Sequence, residues 1–411
     1  MRIKAICIFA LGIILVFAIG CSRNITGTKD DAQSKPEDNI PVKLDPIEEK
    51  LSAMTVDEKI GQLIIAGVDD YTNNEHSKAL IDTYHVGGFI FFTQNIKNSS
   101  EFLALINSLK TTNSARNTIP LFFGIDEEGG RVTRMPSEFI KLPTNRAIGK
   151  VNNPDFSYEI GRTLGGELKA FGLNLDFAPV LDINSNPKNT VIGDRSFGST
   201  STIVSKLGIQ TMKGIQSQNI ISTVKHFPGH GDTSVDSHVG LPVVYNDMDR
   251  LNSLELIPFS EAIESGTDMV MVAHILLPKI DPINPASFSK TIITDILRKK
   301  LNFNGVVITD DMTMGAIVKN YDIGEAAVKS LNAGTDIILV CHDFDKETLI
   351  LKAIKSSVEK GTITEKSLDE KVYRILKLKE KYNLEDSTIS SVSVKDINNN
   401  ITSLLKTYMK R

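Results

Sequence analysis

The chain predicts a single α/β domain of the (β/α)8 barrel type. Eight short apolar runs recur along it, stretches with helical periodicity separate them, and no linker-like segment interrupts residues 45–385.

The apolar runs lie at 62–67, 87–92, 120–125, 173–181, 220–226, 269–273, 306–309 and 337–341. Several are apolar throughout rather than alternating, as parallel strands covered on both faces require. Between them, Phe102, Leu105, Ile106 and Leu109 share one helical stripe, as do Phe156, Ile160, Leu164 and Leu168, and Val204, Leu207, Thr211 and Ile215. Leu254, Ile257, Ala262 and Ile263 continue the pattern, followed by Ile293, Ile296 and Leu297. Gly87, Gly172, Gly266, Gly305 and Gly334 stand just before strands, where a helix C-cap turning into the next strand is expected. Two stacked α/β lobes are the other architecture this alternation allows. Eight units in one chain of this length favour the barrel.

The ends lie outside the domain. Met1, Arg2 and Lys4 precede an apolar stretch from Ala5 to Ile19, too short for a comfortable membrane span and suited to a secretory signal over residues 1–20. Ala18-Ile19-Gly20-Cys21 resembles the bacterial lipoprotein cleavage box, with Ala18 where Leu is usual, and implies lipid on Cys21. An ordinary signal cut nearby or an uncleaved anchor is the alternative. Of the three cysteines, Cys7 leaves with the signal and Cys21 carries the lipid, so Cys341 has no partner for a disulfide. Residues 21–44 are polar and read as a flexible tether. The tail, 386–411, starts Ser/Asn-rich and ends around Ile401, Leu404 and Leu405, which fits a docking helix or a loose end. A net charge of −4 gives no reason to expect a nucleic-acid partner.

In a barrel of this kind, reactive groups belong at the C-terminal ends of strands. Asp126, Asp182, Lys225, His226, His274, Asp310 and His342 all fall at such ends. The densest stretch is 225–238, with three of the seven histidines and two glycines. His226, His230, Asp232, Asp236 and His238 together form one possible metal-ligand set. The other chemical reading is a pair, Asp236 and His238. Two apart in an extended loop they point the same way, so the carboxylate fixes the imidazole tautomer and leaves the other nitrogen for proton transfer. A polar loop whose histidines cap backbone groups is the third. Asp310 and Asp311 follow the 306–309 run; adjacent side chains diverge, so one can face the pocket, where a carboxylate suits a nucleophile, while the other bonds to backbone or a neighbour, and a helix N-cap is the alternative, above all for Asp311. Asp126, followed by Gly129, Gly130, Arg131 and Arg134, suits bidentate bonding to sugar hydroxyls, and Arg195 adds a basic residue in a later loop; Asp–Arg pairing for structure alone is the other reading of these residues.

From about Thr55 to about Leu384 the chain resembles glycoside hydrolase family 3, and within it the β-N-acetylglucosaminidase branch. The carriers are 225–238, Lys-His-Phe-Pro-Gly-His-Gly then Asp-Ser-His, and 296–313, which holds an apolar pair, a basic residue, then Gly, three apolar residues, Thr309 and Asp310. The resemblance implies Asp310 as nucleophile, Asp236 and His238 as acid/base, and Asp126, Arg134, Arg195, Lys225 and His226 as ligands of the N-acetylglucosamine ring. It implies a retaining mechanism with no metal or other cofactor. Many members carry a second domain, and this chain is too short for one.

The expected activity is release of terminal N-acetylglucosamine, with small peptidoglycan-derived fragments as substrate and a lipid-anchored monomer on the outer side of the cytoplasmic membrane as the form. Transfer of the sugar to phosphate is the near rival. A metal-dependent amidohydrolase-type barrel and a non-catalytic glycan-binding lipoprotein are the distant ones.

Overall fold

A computed structural model of the chain describes residues 45–233 and 236–409. The expected signal peptide, the tether and Cys21 lie outside these residues. Eight parallel strands follow one another: β1 Ile64–Gly67, β2 Gly88–Phe91, β3 Phe122–Ile125, β4 Leu175–Asp176, β5 Ile221–Phe227, β6 Met269–Val272, β7 Val306–Thr309 and β8 Ile338–Val340. Each pairs with its sequence neighbour, β8 also pairs with β1, and an Ile308–Ile337 bridge joins β7 to β8 to close the barrel. Every strand residue is buried, the burial on both faces that the continuous apolar runs predict.

The fourth run departs most from its expected length: only Leu175 and Asp176 form regular ladder. Pro179 has no N–H to give, and beyond it the chain joins β5 irregularly, through Lys225 N to Pro179 O and Leu181 N to Lys225 O. The expected helical stripes fall in helices Ser99–Ser114, Pro154–Phe171, Ser201–Gln216 and Thr291–Lys300. Leu254 instead separates two short helices, Met248–Ser253 and Ile257–Glu264. Three of the five predicted cap glycines, Gly172, Gly266 and Gly334, do take positive φ. Gly87 and Gly305 do not, and they serve close approach instead. A Cβ on Gly87 would lie 2.6 Å from Gln62 O, and one on Gly305 would lie 2.5 Å from Asp268 O.

The end of the barrel where the strands begin is stoppered by Lys379 of helix Glu365–Lys381. Its ammonium donates to Gln62 Oε1 (2.7 Å), Gly87 O (2.9 Å) and Pro120 O (2.7 Å), which precede β1, β2 and β3. The first described helix, Pro46–Ala53, packs on the same helix at this end, with the Tyr373 hydroxyl donating to Asp45 Oδ2 at 2.6 Å.

The tail docks. Asp386 accepts from Asn113 Nδ2 (2.6 Å) and Leu121 N (3.2 Å), and Asn107 bonds Ile389 through both N–H and C=O. Helix Val394–Met409 then lies along Pro154–Phe171, with Ile401 fully buried and Tyr408 stacked on Phe156 at 4.9 Å. Of the two forms left open for the tail, the docking helix is the one observed.

Candidate active site

All eight residues expected at the site line one cleft of about 690 Å³ at the C-terminal ends of the strands: Asp126, Arg134, Arg195, Lys225, His226, Asp236, His238 and Asp310.

The base of the cleft is a desolvated ion cluster. Lys225, on β5, donates to Asp126 Oδ1 at 2.6 Å and to Glu128 Oε1 at 2.7 Å. Arg195 forks onto Glu128, Nε to Oε2 at 2.9 Å and Nη2 to Oε1 at 2.7 Å. Burial opposes ionisation of Glu128, yet Arg195 and Lys225 hold its carboxyl well below the usual range. The cluster pre-pays the orientation of a cation pair that would otherwise be mobile, leaving Asp126 partly exposed to the cleft. His226 is anchored from behind: Nδ1 lies 2.6 Å from Asp182 Oδ2, and Asp182 also accepts the His230 N–H at 2.6 Å. Its Nε2 faces Arg195 Nη2 at 3.4 Å.

Arg134 differs from the other cations. Its Nε is buried and, among the described residues, has no hydrogen-bond partner, while its guanidinium lies 5.8 Å from the Phe92 ring. Such a donor is costly unless a ligand fills the cleft. The turn that presents it is wrapped around Glu127, which accepts from Thr133 Oγ1 (3.0 Å), Arg134 N (2.7 Å) and Met135 N (3.3 Å). Burial lifts the Glu127 carboxyl to about 7 in spite of these bonds.

The two aspartates after β7 diverge as adjacent side chains must. Asp311 turns to structure, accepting from Thr313 N (2.8 Å), Thr313 Oγ1 (2.5 Å) and Cys341 N (3.0 Å). Among the described residues, Asp310 accepts only its neighbour's N–H, at 2.9 Å. Burial works against its charge, but His226, His274 and that N–H keep it below the ordinary carboxyl range, so it is an anion at neutral pH.

In the same cleft, Asp236 Oδ1 lies 2.9 Å from His238 Nδ1 and accepts the His238 backbone N–H at 2.9 Å. The ring is largely exposed, with Nε2 left for a substrate. The 236–240 segment rests on the turn after β7, with Ala316 N donating to Ser237 O at 2.9 Å and Lys319 Nζ to Val239 O at 2.8 Å. Gly315 permits that approach: a Cβ there would stand 2.4 Å from His238 O. Gly315→Val is therefore expected to displace His238 and lower kcat/KM by about 100-fold while the melting temperature changes little. Steady-state kinetics beside a thermal melt checks this.

Three of the ring nitrogens that a metal reading of this loop would call on have other partners. His226 Nδ1 meets Asp182, His230 Nδ1 meets Thr233 Oγ1 at 2.9 Å, and His230 Nε2 meets Ser237 Oγ at 3.3 Å. Burial, then the neighbouring His226, push His230 down to about 4, so it is neutral. Among the described residues, no group of three or more His, Cys, Asp or Glu side chains is arranged to hold a metal.

Sequence reasoning left Glu128, Asp182 and Gly315 unassigned. Glu128 sits inside the Asp126–Arg134 motif, and Asp182 is one of the strand-end residues, so both carried a signal. Gly315 carried none, because its role depends on a loop from another part of the chain. Glu128→Ala strands Arg195 without its fork and removes one partner of Lys225. The expected cost is about 3 kcal/mol or more of folding stability, read by urea unfolding at pH 7, with Glu128→Gln milder.

Residues 55–378 match the family model "Glycosyl hydrolase family 3 N terminal domain". Beta-hexosaminidase A of Pseudoalteromonas piscicida is 36% identical over 74% of this chain and 54% of its own, so the chain spans about half the length of that relative. The Beta-hexosaminidase of Nitrosomonas eutropha is 36% identical over 66% of this chain and 78% of its own. The structure of a glycoside hydrolase family 3 beta-N-acetylglucosaminidase from Paenibacillus sp. str. FPU-7 superposes with a TM-score of 0.82 at 39% identity, covering 87% of this chain and 69% of that one.

Proposed function

The chain belongs to glycosyl hydrolase family 3, and from that premise we propose that it is a retaining exo-β-N-acetylglucosaminidase acting on small peptidoglycan-derived fragments. One observation carries the reading: an ionised, otherwise uncommitted Asp310 lines the same cleft as an imidazole aligned by its own carboxylate. The sugar ring sits over the Asp126–Lys225–Glu128–Arg195 cluster, with Arg134 and His226 taking further hydroxyls. Asp310 attacks the anomeric carbon as His238 Nε2 gives its proton to the departing oxygen. The glycosyl–Asp310 ester is then opened by a water whose proton returns to His238, with Asp236 stabilising the imidazolium. These steps call on side chains alone.

The substrate class rests on the curated relatives' names together with the expected export. GlcNAc-β-1,4-N-acetylmuramic acid disaccharides and muropeptides are the GlcNAc-terminated sugars met outside the cytoplasmic membrane. A monomer held there by lipid on Cys21 completes the proposal.

A 2-deoxy-2-fluoro glycoside with a good leaving group, followed by peptide mass mapping, tests it. A stable adduct on the peptide carrying Asp310 is the expected result. A label elsewhere, or good GlcNAc release from chitin oligomers with none from muropeptide fragments, overturns the nucleophile or the substrate respectively. Running the reaction in phosphate separates hydrolysis from phosphorolysis, since only the latter gives a sugar 1-phosphate.

A further inference from the structure

The segment linking the Arg134 turn to the next helix, residues 136–144, has few backbone partners of its own. Phe139 N donates to Pro136 O at 2.9 Å, and Gly130 N reaches forward to Leu142 O at 3.0 Å. Midway between them, the C-terminal helix supplies what a neighbouring strand would. Asn398 Oδ1 accepts the Ile140 N–H at 2.8 Å, and Asn398 Nδ2 donates to Glu138 O at 2.8 Å. A side-chain amide carries the same donor and acceptor as a peptide group, so this is a two-point clip on irregular backbone.

The clip lies a short covalent and hydrogen-bonded path from the cleft. Two residues on from Ile140, Leu142 O receives the Gly130 N–H. Gly130 belongs to a tight hairpin in which Gly129 pairs with Val132 and Glu128 N donates to Val132 O at 3.0 Å. That hairpin joins Glu128, which holds Arg195 and Lys225, to Arg134, whose Nε awaits a partner. On its inner side the Arg134 turn is held by Glu127. On its outer side the held point is residues 138–140: Asn398, from a helix more than 250 residues away in sequence, holds the backbone, and Ser99 donates its N–H and hydroxyl to the Glu138 carboxylate at 3.1 and 3.2 Å.

We infer that Asn398 is a positioning residue for the Arg134 turn, and that the docked C-terminal helix is part of the sugar-binding apparatus rather than packing alone. Arg134 then has two walls, Glu127 within and Asn398 without, and its alignment depends on both. The inference rests on the proposed sugar-binding role of Arg134.

The test is a double-mutant cycle on the full chain, with an aryl N-acetylglucosaminide as substrate. Asn398→Ala is expected to raise KM about fivefold with kcat nearly unchanged. Asn398→Asp, which keeps the acceptor for Ile140 N–H, is expected to recover part of the loss. In an Arg134→Ala background, Asn398→Ala is expected to have no further effect on KM, because the group it aims is gone. Amide hydrogen exchange at Gly130 and Arg134 is expected to speed up in Asn398→Ala. An unchanged KM, or an equal KM penalty in both backgrounds, overturns the inference, even where the melting temperature falls. If the wild-type chain shows no turnover, the functional reading fails separately, and the same cycle is read from the dissociation constant of GlcNAc.

Discussion

Asp310→Asn is expected to lower kcat/KM by about 10⁴-fold or more, with little change in KM or in thermal stability. Among the described residues the side chain makes one hydrogen bond, from the Asp311 N–H, and an amide oxygen accepts it equally well. Nothing structural is lost. What disappears is a negative charge that burial alone would suppress and that His226 and His274 sustain. Because the loss lies in the chemical step, ground-state binding persists, and the variant should still bind GlcNAc-terminated oligosaccharides. In Asp310→Gly the space opens to small anions, and added azide is expected to restore turnover and give the α-glycosyl azide, one inversion instead of two. Retention of wild-type rate by Asp310→Asn would remove the nucleophile assignment.

The second large effect depends on the leaving group. His238→Ala is expected to cost about 10²- to 10⁴-fold on an unactivated disaccharide, where the departing oxygen must be protonated. With a dinitrophenyl glycoside, whose leaving group needs no proton, the first step is expected to survive. The second step still needs a base, so the glycosyl-enzyme accumulates and product appears as a burst of about one equivalent followed by slow release. Stopped-flow absorbance reads both phases. A uniform loss across all leaving groups would assign His238 to binding rather than proton transfer. Asp236→Asn should follow the same pattern more weakly, since the imidazole stays in place when only its carboxylate partner is changed.

Much of this arrangement was legible in the chain itself. The eight apolar runs locate every strand, because burial on both faces leaves a signature that neighbouring segments do not mask. Of the polar residues that terminate those runs, Asp126, Lys225, His226, Asp310 and His342 line one cleft, because in a parallel barrel all strands end at the same rim, whereas Asp182 and His274 are buried outside its lining. What escaped was whatever depends on long-range approach. Gly87 and Gly305 read as helix caps, yet their φ angles are ordinary and their constraint is a carbonyl oxygen from a distant residue. Gly315 is of the same kind. Glu128 was visible but unassigned, because its meaning lies in Arg195 and Lys225, 67 and 97 positions further on. The tail's Leu404 and Leu405 allowed a helix, but the stack of Tyr408 on Phe156 decides that it docks.

Asp45 is bonded to Tyr373 beside the Lys379 stopper, at the pole of the barrel remote from the cleft. Asp45 itself therefore lies on the side away from incoming glycans. Immobilising the enzyme on a bead through that end should leave its access to large, insoluble sugars intact, whereas a bulky label on the exposed Val239 or Tyr245, in the stretch that follows His238, should obstruct it.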